Sequence, residues 1–179
     1  MTEPLLIRDS TDADIAPIQA IYAHHVVHGL GSFEEVPPGI DTMAERRATL
    51  LAAGLPYLVA TRADKIAGYA YAGPFRPRAA YRYSLEDSIY MAPDAVGGGI
   101  GRGLLEALLA RAEAWGARQM VAVIGDSANA GSIGLHKALG FRMVGVFEAI
   151  GYKHGRWVDS VMMQRPLGRG GQAPPEERA

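Results

Sequence analysis

Val96-Gly97-Gly98-Gly99-Ile100-Gly101-Arg102-Gly103 runs directly into Leu104-Leu105-Glu106-Ala107-Leu108-Leu109-Ala110-Arg111-Ala112-Glu113-Ala114-Trp115. In the second stretch Leu104, Leu105, Leu108, Leu109, Ala112 and Trp115 share one broad helical face, and Gly116 supplies a stop. The glycines therefore open a helix. Backbone amides approach a phosphate closely only where no side chain intervenes, and a helix N-terminus adds unpaired N–H groups and partial positive charge. Gly97, Gly98, Gly99, Ile100 and Gly101 thus form a cradle for a diphosphate, to which Arg102 could add a side chain. The Walker pattern needs Gly-Lys-Ser/Thr at the helix start, where this chain has Gly101-Arg102-Gly103. No register through 97–103 has glycines at i, i+2 and i+5, as dinucleotide binding needs. The plain alternative is a flexible turn before a helix.

Upstream, a strand is expected from about Tyr83 to Met91, ended by Pro93. Tyr57–Thr61 and Ile66–Tyr71 read as a hairpin turning at Ala63-Asp64. Leu5–Arg8 reads as a first strand, with a helix capped by Thr11 or Asp12 carrying Ile15, Ile18, Ile21 and Tyr22. Asp41 or Thr42 should cap a second helix through Ala53. Downstream, the unbroken apolar run Met120–Ile124 predicts a strand covered on both faces. Asp126-Ser127-Ala128-Asn129 opens a short helix to Leu139-Gly140, and strands at about 142–149 and 157–165 flank a turn near His154-Gly155. The order β-α-α-β-β-β-α-β-α-β-β implies a mixed α/β sheet in one domain over 1–167, with a disordered Gly- and Pro-rich tail over 168–179.

At 179 residues, 49% hydrophobic and 21% charged, the chain has the composition of a soluble globular protein. Its net charge of -1 provides no general attraction for nucleic acid or an anionic membrane. Without cysteine, disulfides, thiolate metal sites and a cysteine nucleophile are excluded, so acyl transfer would pass directly from donor to acceptor. The start Met1-Thr2-Glu3-Pro4 lacks signal-peptide character, and no apolar run reaches membrane-spanning length; a cytoplasmic location is expected. His24 and His28 are four residues apart, but no third ligand has convincing spacing, so no metal is expected.

Strand, Gly97-Gly98-Gly99-Ile100-Gly101, then amphipathic helix resembles the acetyl-CoA motif of the GNAT superfamily of N-acetyltransferases, Gln/Arg-x-x-Gly-x-Gly/Ala. Gly99 and Gly101 match its glycines, and Val96 departs from its first position. Asn129, Ser132 and Leu135-His136-Lys137-Ala138-Leu139-Gly140-Phe141 are similar to the family's segment ending Y-E-K-L-G-F. Ser84–Met91, Val121–Ile124 and Gly151–Asp159 look like the phosphinothricin/methionine sulfoximine acetyltransferase subgroup. The resemblance implies the GNAT fold: a central mixed, mostly antiparallel sheet flanked by about four helices. It also implies acetyl-CoA as co-substrate, a small amino acid or analogue as acceptor, and a homodimer.

Acetyl transfer to an amine requires loss of the ammonium proton, stabilisation of an oxyanion and protonation of the leaving thiolate. Glu86, in an otherwise apolar and hydroxyl-bearing stretch, suits the first, since partial burial raises a carboxyl pKa. Asp87 would face the other way in a regular strand unless a bulge intervenes. The competing reading has Glu86 pairing structurally with Arg76, Arg78 or Arg82. His136 stands where many family members carry the tyrosine assigned to thiolate protonation; the alternative is a packed helix histidine. By resemblance, the backbone of Ile89, Tyr90 and Met91 would meet the thioester, Asn129 and Ser132 would lie along the pantetheine arm, and Arg76, Pro77, Arg78, Glu86, Asp87 and Ser88 would contact the acceptor. Arginine forks beside aromatics in Phe75–Tyr83 suit a carboxylate or phosphinate, against a plain reading as a solvated or dimer-contacting loop. Phe33 walls the entrance or packs in the core. Rival functions are acetylation of polyamines, aminoglycosides or protein N-termini, whose cationic acceptors would favour an acidic groove, and a non-catalytic CoA-sensing module.

Overall fold

The computed structural model describes residues 4–95 and 97–175. Seven strands form one sheet: β1 (Leu6–Asp9), β2 (Tyr57–Arg62), β3 (Lys65–Pro74), β4 (Ser84–Met91), β5 (Gln119–Gly125), β6 (Arg142–Lys153) and β7 (Arg156–Pro166). Their order is β1-β2-β3-β4-β5-β7-β6. Neighbours are antiparallel except β4 and β5, which are parallel. The helix α3 (Ile100–Trp115) makes the crossover between these two strands, as a parallel connection requires. Helices α1 (Ile15–His28), α2 (Ile40–Ala52) and α4 (Ala130–Ala138) complete the mixed sheet and four helices expected.

Sequence alternation sorts the two layers. On one face Leu58, Ala60, Ala70, Ala72, Leu85 and Met120 pack against Leu104, Leu105, Leu108 and Ala112 of α3. On the other, Tyr57, Val59 and Tyr69 pack against Ile15, Ile18, Tyr22 and Val26 of α1 and Met43 of α2. Leu104, Leu105 and Leu108 are fully buried, and cutting any of them to alanine would cost about 2–5 kcal/mol.

Several boundaries differ from the sequence reading for physical reasons. Thr11 opens a short 3-10 turn (Asp12–Asp14) rather than α1 itself, and its N–H and hydroxyl donate to Asp14 at 2.7 and 3.0 Å. Arg8 grips the same carboxylate at 2.7 and 2.9 Å and is the main cause of its pKa falling to about 2. The helix α2 begins at Ile40 with Gly39 as its N-cap, two residues ahead of Asp41 and three ahead of Thr42, the expected caps. Residues 168–175 lie against the domain. Leu167 is buried, and Arg118 donates to the carbonyls of Gly170 and Ala173 at 3.0 Å each and of Pro174 at 3.4 Å. Met120–Ile124 is not covered throughout, because Val123 is 37% exposed where β4 and β5 part. None of the described helices is long and apolar enough to cross a membrane.

Candidate active site

The parallel ladder between β4 and β5 runs from Ser84 with Gln119 to Asp87 with Ala122 and then stops, although both strands continue. Beyond it the strands diverge, and their facing backbone groups have no ladder partner. A cavity of about 600 Å³ fills the wedge, lined by Asp87–Met91 on one side and Ala122–Gly125 on the other. Gly97, Gly99, Gly101 and Arg102 close one end, and Asn129, Ser132, Leu135 and His136 of the α4 region form a wall.

The glycine loop leads directly into α3. Gly97, Gly98 and Gly99 have φ of +96°, +62° and +77°, three consecutive left-handed conformations that side chains adopt only with strain. Gly99 is the N-cap of α3, which has no side-chain cap and no acidic residue in its first turn. Its leading amides are thus left for an anion. Val96, the first position of the motif, lies outside the described residues. Ile100 buries its side chain in the core, so it can offer the site only its backbone. Arg102, at the cavity end, pairs with Glu106 at 2.8 Å.

The strand β4 pairs with β3 without a bulge, so its side chains alternate strictly. Leu85, Ile89 and Met91 face α3 with Asp87, while Glu86 and Ser88 share the face of Tyr90, which packs on Tyr22 and Tyr69. Glu86 is half-buried, makes no ion pair among the described residues, and lies near enough Tyr71 to raise the phenol's pKa, whose larger cause is burial. Burial, assisted by the negative charge of Asp87, pushes its carboxyl up to about 7. The structural pairing of Glu86 with Arg76, Arg78 or Arg82 does not occur.

Asp87 and His136 meet on the opposite face, each 2% exposed. The ring Nε2 lies 2.8 Å from Asp87 Oδ2, and Nδ1 lies 2.7 Å from the Ser132 carbonyl. Two acceptors flanking the ring call for two N–H groups, the imidazolium form. Burial alone would lower the pKa of His136, but the hydrogen bond and charge of Asp87 with the Ser132 carbonyl outweigh it and raise the pKa. Asp87 Oδ1 is buried without a hydrogen-bond partner. Asn129 is the N-cap of α4: its Oδ1 accepts from Ser132 N at 3.1 Å and its amide donates to Gly125 O at 3.4 Å.

Arg76, Pro77 and Arg78 are exposed and do not line the wedge. Arg76 stacks over Phe75 and Tyr81 at 5.1 and 5.8 Å, so the aromatics that marked the loop for acceptor binding hold this arginine themselves. Phe33 packs on Gly151 of β6. The sequence reading missed His25, whose Nε2 lies 2.8 Å from the Met91 carbonyl at the cavity edge, and Leu30-Gly31. Gly125 lets Leu30 approach, since a Cβ there would collide with its carbonyl. Only a tertiary contact reveals either. No cluster of three or more His, Asp or Glu able to hold a metal occurs among the described residues.

Comparison with known proteins accounts for this architecture. An acetyltransferase (GNAT) domain model matches residues 7–162. The chain is 55% identical to phosphinothricin N-acetyltransferase of Alcaligenes faecalis, over 95% of this chain and 86% of that protein. It is 42% identical to the L-methionine sulfoximine/L-methionine sulfone acetyltransferase of Pseudomonas aeruginosa, over 90% and 94% of the two chains. A GNAT phosphinothricin acetyltransferase from Sinorhizobium meliloti, crystallised with acetyl-CoA, superposes with a TM-score of 0.93 at 48% identity, covering 99% of this chain and 95% of that one. The chain belongs to the GNAT superfamily of acetyl-CoA-dependent N-acetyltransferases, in the group that contains the phosphinothricin and methionine sulfoximine acetyltransferases.

Proposed function

We propose that the protein transfers the acetyl group of acetyl-CoA directly to the α-amine of a small amino acid of the phosphinothricin or methionine sulfoximine type, with Glu86 as general base. The observation that carries this is the placement of Glu86, a half-buried carboxyl without an ionic partner and with a pKa of about 7, one residue before the β4–β5 ladder ends. A base of that pKa is ionised enough near neutrality to accept a proton and basic enough to draw it from an ammonium. Acetyl-CoA, when bound, supplies the activated acyl group in the wedge. On the α4 side, the Asp87–His136 pair lines the wedge, and its imidazolium is the acidic group beside which the thiolate departs. Backbone N–H groups of Ile89–Met91 meet the developing oxyanion. The acceptor's carboxylate or phosphinate is assigned to the arginine loop, from which Arg78 would have to reach in, since it is exposed and lies outside the wedge lining. Thiol release from acetyl-CoA in the presence of phosphinothricin, methionine sulfoximine, spermidine and an N-terminal peptide tests the reading. Release with the first two is expected; release only with the last two would overturn it.

The functional unit in this proposal is a homodimer. The last strand of the sheet, β6, exposes Val146, Phe147, Ile150 and Tyr152, and Trp157 of β7 beside them is 65% exposed. An apolar edge of this kind needs a cover in solution. A dimer mass by light scattering, reduced to a monomer by Trp157→Arg, is the expected outcome.

A further inference from the structure

Arg62 ends β2, immediately before the Ala63-Asp64 turn. Its Nη1 and Nη2 lie 3.3 and 3.4 Å from the point where a Cβ on Gly98 would stand, so the guanidinium fork is pressed against the middle glycine of the phosphate loop. Its Nε is buried without a hydrogen-bond partner. No ion pair among the described residues includes it. A guanidinium is always charged at physiological pH. Here it converges with the positive end of α3, whose first turn carries no acid, and among the described residues no ion pair neutralises Arg62. Two positive features packed together and partly stripped of water favour an anion between them. Arg102, the cation within the loop itself, is engaged by Glu106.

We propose that Arg62 is the side-chain ligand of the acetyl-CoA diphosphate, reaching it across Gly98. The inference rests on the acetyl-CoA reading of the loop. A side chain at position 98 would press on the fork and push it back by a few tenths of an ångström, in addition to the strain of its φ of +62°. The test is calorimetric titration of the wild type, Arg62→Met and Arg62→Lys with CoA and with 3′-dephospho-CoA. Arg62→Met should weaken both ligands alike, by about tenfold, the worth of one charge-assisted contact. Arg62→Lys should recover part of the loss, and the wild type should show the steeper salt dependence. Unchanged affinity in Arg62→Met would overturn the proposal. So would a loss confined to CoA, which would assign the arginine to the 3′-phosphate. Should Arg62→Met unfold, Arg62→Lys decides alone: a partial loss equal for CoA and 3′-dephospho-CoA is expected, and unchanged affinity for both, or a loss confined to CoA, would overturn the proposal. Failure of the wild type to bind either ligand would instead remove the cofactor assignment.

Discussion

Glu86 and Asp87 are adjacent in β4, yet their carboxyl groups leave on opposite faces of the sheet. Asp87 is locked to His136 at 2.8 Å among the α3 and α4 residues, while Glu86 stands unpaired on the face of the tyrosines. The negative charge of one, acting across the backbone, helps hold a proton on the other. Two neighbouring acids thereby acquire different tasks from strand alternation alone.

Replacing Asp87 by Asn should drop the pKa of His136 below its wild-type value, because burial then acts without its anionic partner. The folded pKa of His136 is raised, so the pair's stabilisation is complete below the unfolded value of about 6.5 and is lost as pH rises through the folded pKa. Imidazole resonances followed by NMR titration should show the fall. The melting-temperature gap between wild type and Asp87→Asn should be widest below pH 6.5 and narrow above it.

Burial of Glu86 affects stability with the opposite consequence for the charged form. Between an unfolded pKa near 4.5 and the folded value of about 7, the folded chain retains a proton that the unfolded chain releases. Stability therefore declines across that interval as pH rises, and the loss is complete above pH 7. Glu86→Gln should melt higher than the wild type at pH 8 and match it near pH 4.5, as read by calorimetric or fluorescence melting.

Alanine at Gly98 should cost about 1–2 kcal/mol through its left-handed backbone and weaken CoA binding several-fold. Alanine at Gly125 has another cause of damage, collision with the Leu30 carbonyl, so it should shift the Leu30-Gly31 loop and reduce acceptor turnover more than CoA affinity. Paired CoA titrations and steady-state kinetics separate the two.

Much of the fold was legible because its signals are local. The leucine face of α3, the glycines before it and the hairpin at Ala63-Asp64 each announce themselves within a few residues. The placement of Glu86 and Asp87 on opposite faces followed from alternation, and His136 stood out by its motif position. What stayed hidden depends on contacts distant in sequence. Asp87 meets His136 across 49 positions, and Lys153 is buried against the Ser32 carbonyl at 2.6 Å across 121. Arg62 touches Gly98 only because β2 ends beside the loop. Arg76 shows the converse difficulty: an arginine among aromatics reads the same in sequence whether it awaits a ligand or stacks on its own neighbours.

The role of Glu86 is tested most directly by single-turnover acetyl transfer to phosphinothricin as a function of pH, with wild type and Glu86→Gln. The account predicts a wild-type rate that rises through an ionisation near 7, and a variant at least about a hundredfold slower that has lost this limb while binding acetyl-CoA as tightly. A variant that turns over at the wild-type rate with the same limb would contradict it.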